Sequence, residues 1–399
     1  MTRFFLIFLL ILINFISSQN KNPIVLVHGF MGWGEKEMGP YKYWGGWFDL
    51  VGELEKEGYT IFVASVGPVS SSWDRAIELY YQIKGGQIDY GKYHSEKYGL
   101  IQKPLEKDYK GLYPQWSEKN PLHFIGHSMG GQTIRMLDYL LNNVIQDSLG
   151  TLEKSKLLGK PNKGWIKSIT TLSTPHDGTT ISDFINAGIP FLQNFIALAG
   201  VAGNSFYDFD LEQWGFKRFK EESWINYFKR MKQHSIWDSK NTVAWDSSIE
   251  GAKEINSLCV ANPDIYYFSI TNYKTKIDED SGYHKPMKGM SNILKVQARL
   301  MGRKKAYYSD GTSTDSTWYL NDGVVNTVSM FGPTTGSSGP DPITEFRQGD
   351  LVIPGQWYVM GNYEFDHSAL IGHQMKKDEY SSLKKIYLDQ LKILWSLPN

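Results

Sequence analysis

The sequence is sparing with features that would place it in several common classes. Cys259 is the one cysteine among 399 residues, so no intrachain disulfide can form and packing must supply the stability. Its neighbours Leu258 and Val260 are apolar, which fits a buried, inert thiol. Neither sign of charge prevails: Lys and Arg number 42 and so do Asp and Glu, for a formal net charge of zero. Nothing therefore favours a polyanionic partner such as nucleic acid. Asn-x-Ser/Thr sequons, internal repeats and, past the N-terminus, apolar runs long enough to cross a bilayer are all missing.

The N-terminus itself carries a short apolar run, Phe4 to Ile13, behind Arg3 and ahead of Ser17 and Ser18. A membrane span needs about 20 apolar residues. The pattern instead predicts a cleaved signal peptide over residues 1–18, with a retained signal anchor as the alternative. The protein is then expected outside the cell, or else in an endomembrane or lysosomal lumen. Aromatics make up 14% of the chain, 13 of them Trp, enough to line apolar clefts as well as a core.

Apolar runs and helical periodicities alternate along the chain. Ile24–Val27, Thr60–Ala64, Leu122–Ile125, Ile166–Leu172 and Ile265–Ile270 read as buried strands. Phe48, Leu50, Val51 and Leu54 give a helical face stopped near Gly58, and Lys384 to Trp395 reads as a closing helix. Such alternation predicts an α/β protein whose mostly parallel sheet is covered by helices on both faces. Residues 19–399 are expected to form one domain with insertions at about 70–116 and 179–302, over the carboxyl edge where such sheets bind ligands. Met330 to Gly349, rich in Gly, Pro and Ser, reads as a loop.

Chemistry centres on Gly126-His127-Ser128-Met129-Gly130. A nucleophilic serine on a sharp strand-to-helix turn needs glycines two residues before and after it. A bare G-x-S-x-G arises by chance in roughly one chain in seven of this length, so the flanks decide. An apolar strand ends just before the motif, and a helix with Ile134, Leu137 and Leu141 follows it. Serine needs a base, and the base an orienting acid. In this architecture they follow in the order Ser, Asp or Glu, His. Downstream histidines are His284, His367 and His373; His367, in a loop before the last helix, is favoured. Asp310, Asp315, Asp322 and Asp366 compete as the acid. Asp322 is favoured, beside a Gly turn in Asn321-Asp322-Gly323. The oxyanion hole is expected from the amides of Met129 and Phe30.

The chain is similar to the secreted true lipases of bacillary and staphylococcal type, over nearly its whole length beyond the leader. The resemblance is carried by Val27-His28-Gly29-Phe30, Trp33-Gly34, Tyr43-Trp44-Gly45-Gly46, Gly67-Pro68, Ser70-Ser71, Trp73-Asp74-Arg75-Ala76 and Asp89-Tyr90-Gly91. It continues through Ser128 with Gly130-Gly131-Gln132-Thr133, the run Thr174-Pro175-His176-Asp177-Gly178-Thr179-Thr180, Gln213-Trp214-Gly215, Asn321-Asp322-Gly323 and Asp366-His367. It implies the α/β-hydrolase fold, the triad Ser128, Asp322 and His367, and hydrolysis of triacylglycerols at an oil–water interface beneath a helical lid. Phospholipase or short-chain esterase activity on the same site, or a non-catalytic lipid-binding relative, are the alternatives. Phe184, Ile185, Ile189, Phe191, Leu192, Phe195, Ile196 and Leu198 form an apolar stretch that reads either as that lid or as a core helix of the insertion.

The resemblance also implies a zinc site of two Asp and two His. Asp74 and His94 match two of its ligands, but Leu100 and Asn241 stand where the others belong, so bound zinc is not expected unless His123 or His176 substitutes. At the implied calcium site Ala369 and Gln374 replace acidic residues and Gly289 matches a backbone ligand. Calcium favours carboxylate oxygens, so no metal cofactor is expected.

Overall fold

The computed structural model describes residues 20–35, 37–181, 211–216 and 219–399. The expected signal peptide and the apolar stretch Phe184 to Leu198 lie outside the described residues. Seven strands form the main sheet: β1 (Ile24–Val27), β2 (Ile61–Ala64), β3 (Leu122–His127), β4 (Ile166–Leu172), β5 (Tyr266–Asn272), β6 (Ile343–Glu345) and β7 (Trp357–Tyr363). They pair in parallel in the order β6-β7-β5-β4-β3-β1-β2. From β1 the chain runs outward to β2, then crosses back to β3 on the other side. The crevice between the carboxyl ends of β1 and β3 is thus the switch point, where ligands bind in open α/β sheets.

Period-two alternation sends each strand's side chains into two cores. Val25, Val27, Phe124, Ile169, Tyr267 and Trp357 pack with helices α2 (Ser72–Lys84) and α4 (Met129–Asn142). Ile24, Leu26, Ile125, Phe268 and Tyr358 pack on the other face with α1 (Leu50–Lys56) and the last helix, α6 (Lys377–Ser396). Between them come α3 (Lys92–Tyr98) and α5 (Ile249–Leu258). The caps follow the sequence: Asp49 accepts from the Gly52 amide, Ser71 from the Asp74 amide, and Glu379 Oε2 from the Lys376 amide at the head of α6.

The structure draws the two insertions more tightly. Helix α2, inside the stretch 70–116, belongs to the sheet's covering layer: Ala76, Ile77, Leu79 and Ile83 are buried in the core. The stretch 179–302 is interrupted by β5, every residue of which is buried. A central parallel strand is covered on both faces and cannot be part of a cap. The loop expected from Met330 to Gly349 contains the short edge strand β6, and β7 escaped the sequence reading altogether. Its Met360-Gly361-Asn362 tail, with an irregular register against β5, hides the apolar signal. No helix of the described residues is long and apolar enough to cross a membrane.

Candidate active site

Ser128 stands between β3 and α4 with φ 56° and ψ −129°, a conformation that costs a non-glycine residue strain of about 1–3 kcal/mol. The flanking glycines make the turn possible. A Cβ on Gly126 would fall 2.5 Å from the Gly130 carbonyl carbon, and one on Gly130 would fall 2.2 Å from Val27 O. The Ser128 amide donates to Leu172 O (2.8 Å), and Thr174 Oγ1 donates to Ser128 O (2.9 Å), so β4 holds the elbow from one side. The loop after β1 holds it from the other: a Cβ on Gly29 would lie 2.6 Å from Ser128 Cβ. That loop carries Phe30, and Met129 begins α4, where helix amides lack intrahelical acceptors.

Asp322 is fully buried. Its Oδ1 accepts from the Val324 (2.8 Å) and Val325 (2.7 Å) amides, while Oδ2 lies 2.7 Å from His367 Nδ1 and 3.2 Å from Asn272 Nδ2. The His367 amide donates to Asp322 O (3.1 Å), so backbone and ring are both fixed by the same aspartate. With Nδ1 donating to the carboxylate, Nε2 is the ring's remaining basic atom. Among the described residues no hydrogen bond closes Ser128 Oγ to His367. The ring of His127, the residue before Ser128, lies 4.6 Å from that of His367, centroid to centroid. Reactive hydrogen bonds are commonly long without substrate.

The competing residues are engaged elsewhere. Asp366 accepts from Ser291 N, Ser368 Oγ and Ala369 N, and Asp310 and Asp315 close exposed turns on Thr312 and Thr317. His373 Nε2 is 2.9 Å from Tyr43 O, and His284 lies on a short hairpin strand, His284–Pro286.

A family model described as "Lipase-like, C-terminal domain" matches residues 20–389. The chain belongs to this lipase-like family. Lipase 2 of Staphylococcus aureus is 36% identical over 331 residues, covering 80% of this chain and 46% of the relative. Lipase 1 of Staphylococcus aureus strain MRSA252 is 36% identical over 366 residues, 89% of this chain and 51% of the relative. The chain thus spans about half the length of these curated relatives. Two solved structures are similar throughout. Staphylococcus hyicus lipase has a TM-score of 0.85 at 34% identity, covering 95% of this chain and 97% of that one. EstA from Clostridium botulinum has a TM-score of 0.84 at 39% identity, covering 97% and 90%. The parallel sheet with helices on both faces is the α/β-hydrolase fold.

In this lipase-like chain the zinc-ligand positions do not fit a metal. Asp74 Oδ1 is 2.7 Å from His94 Nε2, and Asp74 Oδ2 accepts from Asn241 Nδ2 at 3.0 Å. Asn241 Oδ1 in turn accepts from Ser71 Oγ, and Leu100 is buried in an apolar cluster with Trp214 and Met231. An amide NH2 aimed at the carboxylate takes the place a cation would need. His123 bonds Ser168 and Asn20, and His176 bonds Thr171. Among the described residues no group of three His, Cys, Asp or Glu is placed to hold a metal. At the calcium positions, the Ser291 N to Asp366 Oδ2 bond (2.8 Å) joins directly the segments that carry Gly289 and His367.

Several supporting residues had no assigned role in the sequence. The buried Arg75 donates to His28 O and Gly67 O and, through Nε, to Thr133 Oγ1 (2.8 Å), clamping the Phe30 loop to α4. Its one sequence signal was its place in the run Trp73-Asp74-Arg75-Ala76, to which no role was attached. Asn272 steadies Asp322 and Phe365 O from the end of β5. Asp177, in the Thr174 to Thr180 run, accepts from the Thr334 and Thr335 amides and Asn256, anchoring the loop that follows Asp322.

Proposed function

We propose that this chain is a secreted triacylglycerol lipase, a serine ester hydrolase that works through Ser128, His367 and Asp322. The observation that carries the reading is the strained Ser128 elbow at the switch point, with the Asp322–His367 pair held on the loops beside it. The family's lipase-named members favour the same substrate class. In this reading His367 Nε2 takes the proton of Ser128 Oγ as Oγ attacks the ester carbonyl. The amides of Phe30 and Met129 receive the oxyanion, and imidazolium formation is stabilised by Asp322. Collapse expels the alcohol, which leaves with the proton from His367. Water, deprotonated by His367, then hydrolyses the acyl-enzyme.

Metals have no part in this reading. Leucine and a carboxamide stand at two implied zinc positions, and Ala369 and Gln374 at the implied calcium carboxylates. The assay that tests it uses emulsified tributyrin and trioleoylglycerol, beside Ser128→Ala. Cleavage of both fats, lost by about six orders of magnitude in the variant, supports a true lipase. Cleavage of tributyrin alone makes it a short-chain esterase. Inactivity on both, with phospholipid vesicles cleaved, moves the substrate to phospholipids. Binding to the emulsion without cleavage of any ester leaves a lipid-binding relative.

A further inference from the structure

The motif Tyr43-Trp44-Gly45-Gly46 is longer than the chemistry above requires. Its first residue sits in a buried line of hydrogen bonds. The Gly29 amide donates to Tyr43 Oη (2.8 Å), Tyr43 Oη is 2.7 Å from His127 Nδ1, and His127 Nε2 is 3.0 Å from His367 O. The proton count fixes each direction. A carbonyl oxygen can only accept, so His127 carries its proton on Nε2. Its Nδ1 is then an acceptor and takes the tyrosine proton, which leaves the tyrosine lone pairs for the Gly29 amide. Burial and the neighbouring His367 hold His127 well below the usual histidine range, so the ring is neutral, as this pattern demands. Burial likewise pushes the Tyr43 hydroxyl upward, keeping it a donor.

We propose that Tyr43 and His127 are positioning residues that set the oxyanion loop and His367 as one unit. The proposal rests on the ester hydrolase reading. Gly29 immediately precedes Phe30, whose amide that reading assigns to the oxyanion hole. His127 immediately precedes Ser128. His367 O is the one hydrogen-bonding group of that residue, apart from Nε2, that Asp322 does not hold. The line therefore joins three loops that meet only in the tertiary structure, and each end lies one residue or less from a reacting group.

The backbone of Tyr43 is anchored without its hydroxyl. His373 Nε2 lies 2.9 Å from Tyr43 O, and the Gly45 amide donates to Ile371 O at 2.7 Å. Edge-on packing against His28, Trp33 and His127 holds the ring. Tyr43→Phe keeps both anchors and breaks the line at its centre, leaving a buried Gly29 amide without its acceptor and His127 Nδ1 without its donor. Such a group moves to find another partner, and Phe30 moves with it.

The test measures kcat and KM on a p-nitrophenyl ester for wild type, Tyr43→Phe, His127→Phe and the double variant, with rates normalised to sites titrated by an organophosphonate. The expected result for Tyr43→Phe is a kcat roughly ten- to a hundredfold lower, the effect of misplacing reacting groups by about an ångström, with KM within twofold. The double variant should be no worse than the poorer single, because both break one line. A Tyr43→Phe kcat within twofold of wild type overturns the proposal. So does a loss that disappears on normalisation, since the residue would then serve folding alone. Multiplying losses in the double variant would also overturn it. Failure of the underlying reading is separate: Ser128→Ala would then turn over the ester like wild type, and the proposal falls with it.

Discussion

His367 Nδ1 lies 2.7 Å from Asp322 Oδ2, and the amide of the same histidine donates to the carbonyl of the same aspartate. The backbone contact fixes where the ring starts and the side-chain contact fixes how it turns. Asp322→Asn should keep the first and corrupt the second, because an amide can present N–H to Nδ1 and favour the wrong tautomer. We expect kcat to fall by about four orders of magnitude with the fold intact. Steady-state kinetics beside circular dichroism checks this; a loss under tenfold would mean that another acid orients His367.

Arg75 donates to the backbone carbonyls of His28, Gly29 and Gly67 and to a threonine while wholly buried. Arg75→Met fills much of the volume but strands those acceptors. Thermal or urea unfolding should show a loss of about 2–4 kcal/mol. Turnover should fall too, since the released loop carries Phe30. Unchanged stability would show that water replaces the guanidinium without cost.

Burial raises the Asp246 carboxyl to about 7, aided by the nearby Asp74 and opposed by the Ser72 amide. The native state therefore holds this proton more tightly than the unfolded chain. The stability it contributes is fully present below pH about 4 and is lost as pH rises toward 7. The shift corresponds to something on the order of 4 kcal/mol. Asp138, raised by burial to about 6, acts in the same direction. Asp246→Asn should flatten the fall in unfolding midpoint between pH 5 and pH 8 relative to wild type, as calorimetry would show (the pH values bracket the raised pKa). Parallel curves for the two proteins would place the ionisation elsewhere.

Asp74, His94 and Asn241 satisfy one another, and Ser291 N bonds Asp366 directly. Prolonged dialysis against EDTA should accordingly leave activity and unfolding midpoint where they were. Metal analysis should find well under one zinc per chain. An activity lost in chelator and restored by calcium or zinc would contradict this.

Much of this was legible in the sequence because its causes are local. The turn at Ser128 demands glycines two residues away on each side. β1, an apolar run, and β4, rich in β-branched Ile and Thr, keep the expected bounds, Ile24–Val27 and Ile166–Leu172. Residue chemistry alone marked Leu100 as unable to bind a metal. Other parts depended on contacts between distant segments. β6 is three residues inside a Gly/Pro/Ser-rich stretch and is a strand only because β7 offers it a ladder. Helix α2 reads as the start of an insertion until its buried face is seen against α4. The pairing of Asp322 with His367 spans 45 residues, and the line from Gly29 through Tyr43 and His127 to His367 spans far more. The sequence by itself determined which groups can donate, accept or attack, since that follows from side-chain chemistry and local backbone demands. Only the tertiary structure decided which of them meet, because a hydrogen bond acts over about 3 Å and only the packed sheet brings its loops that close.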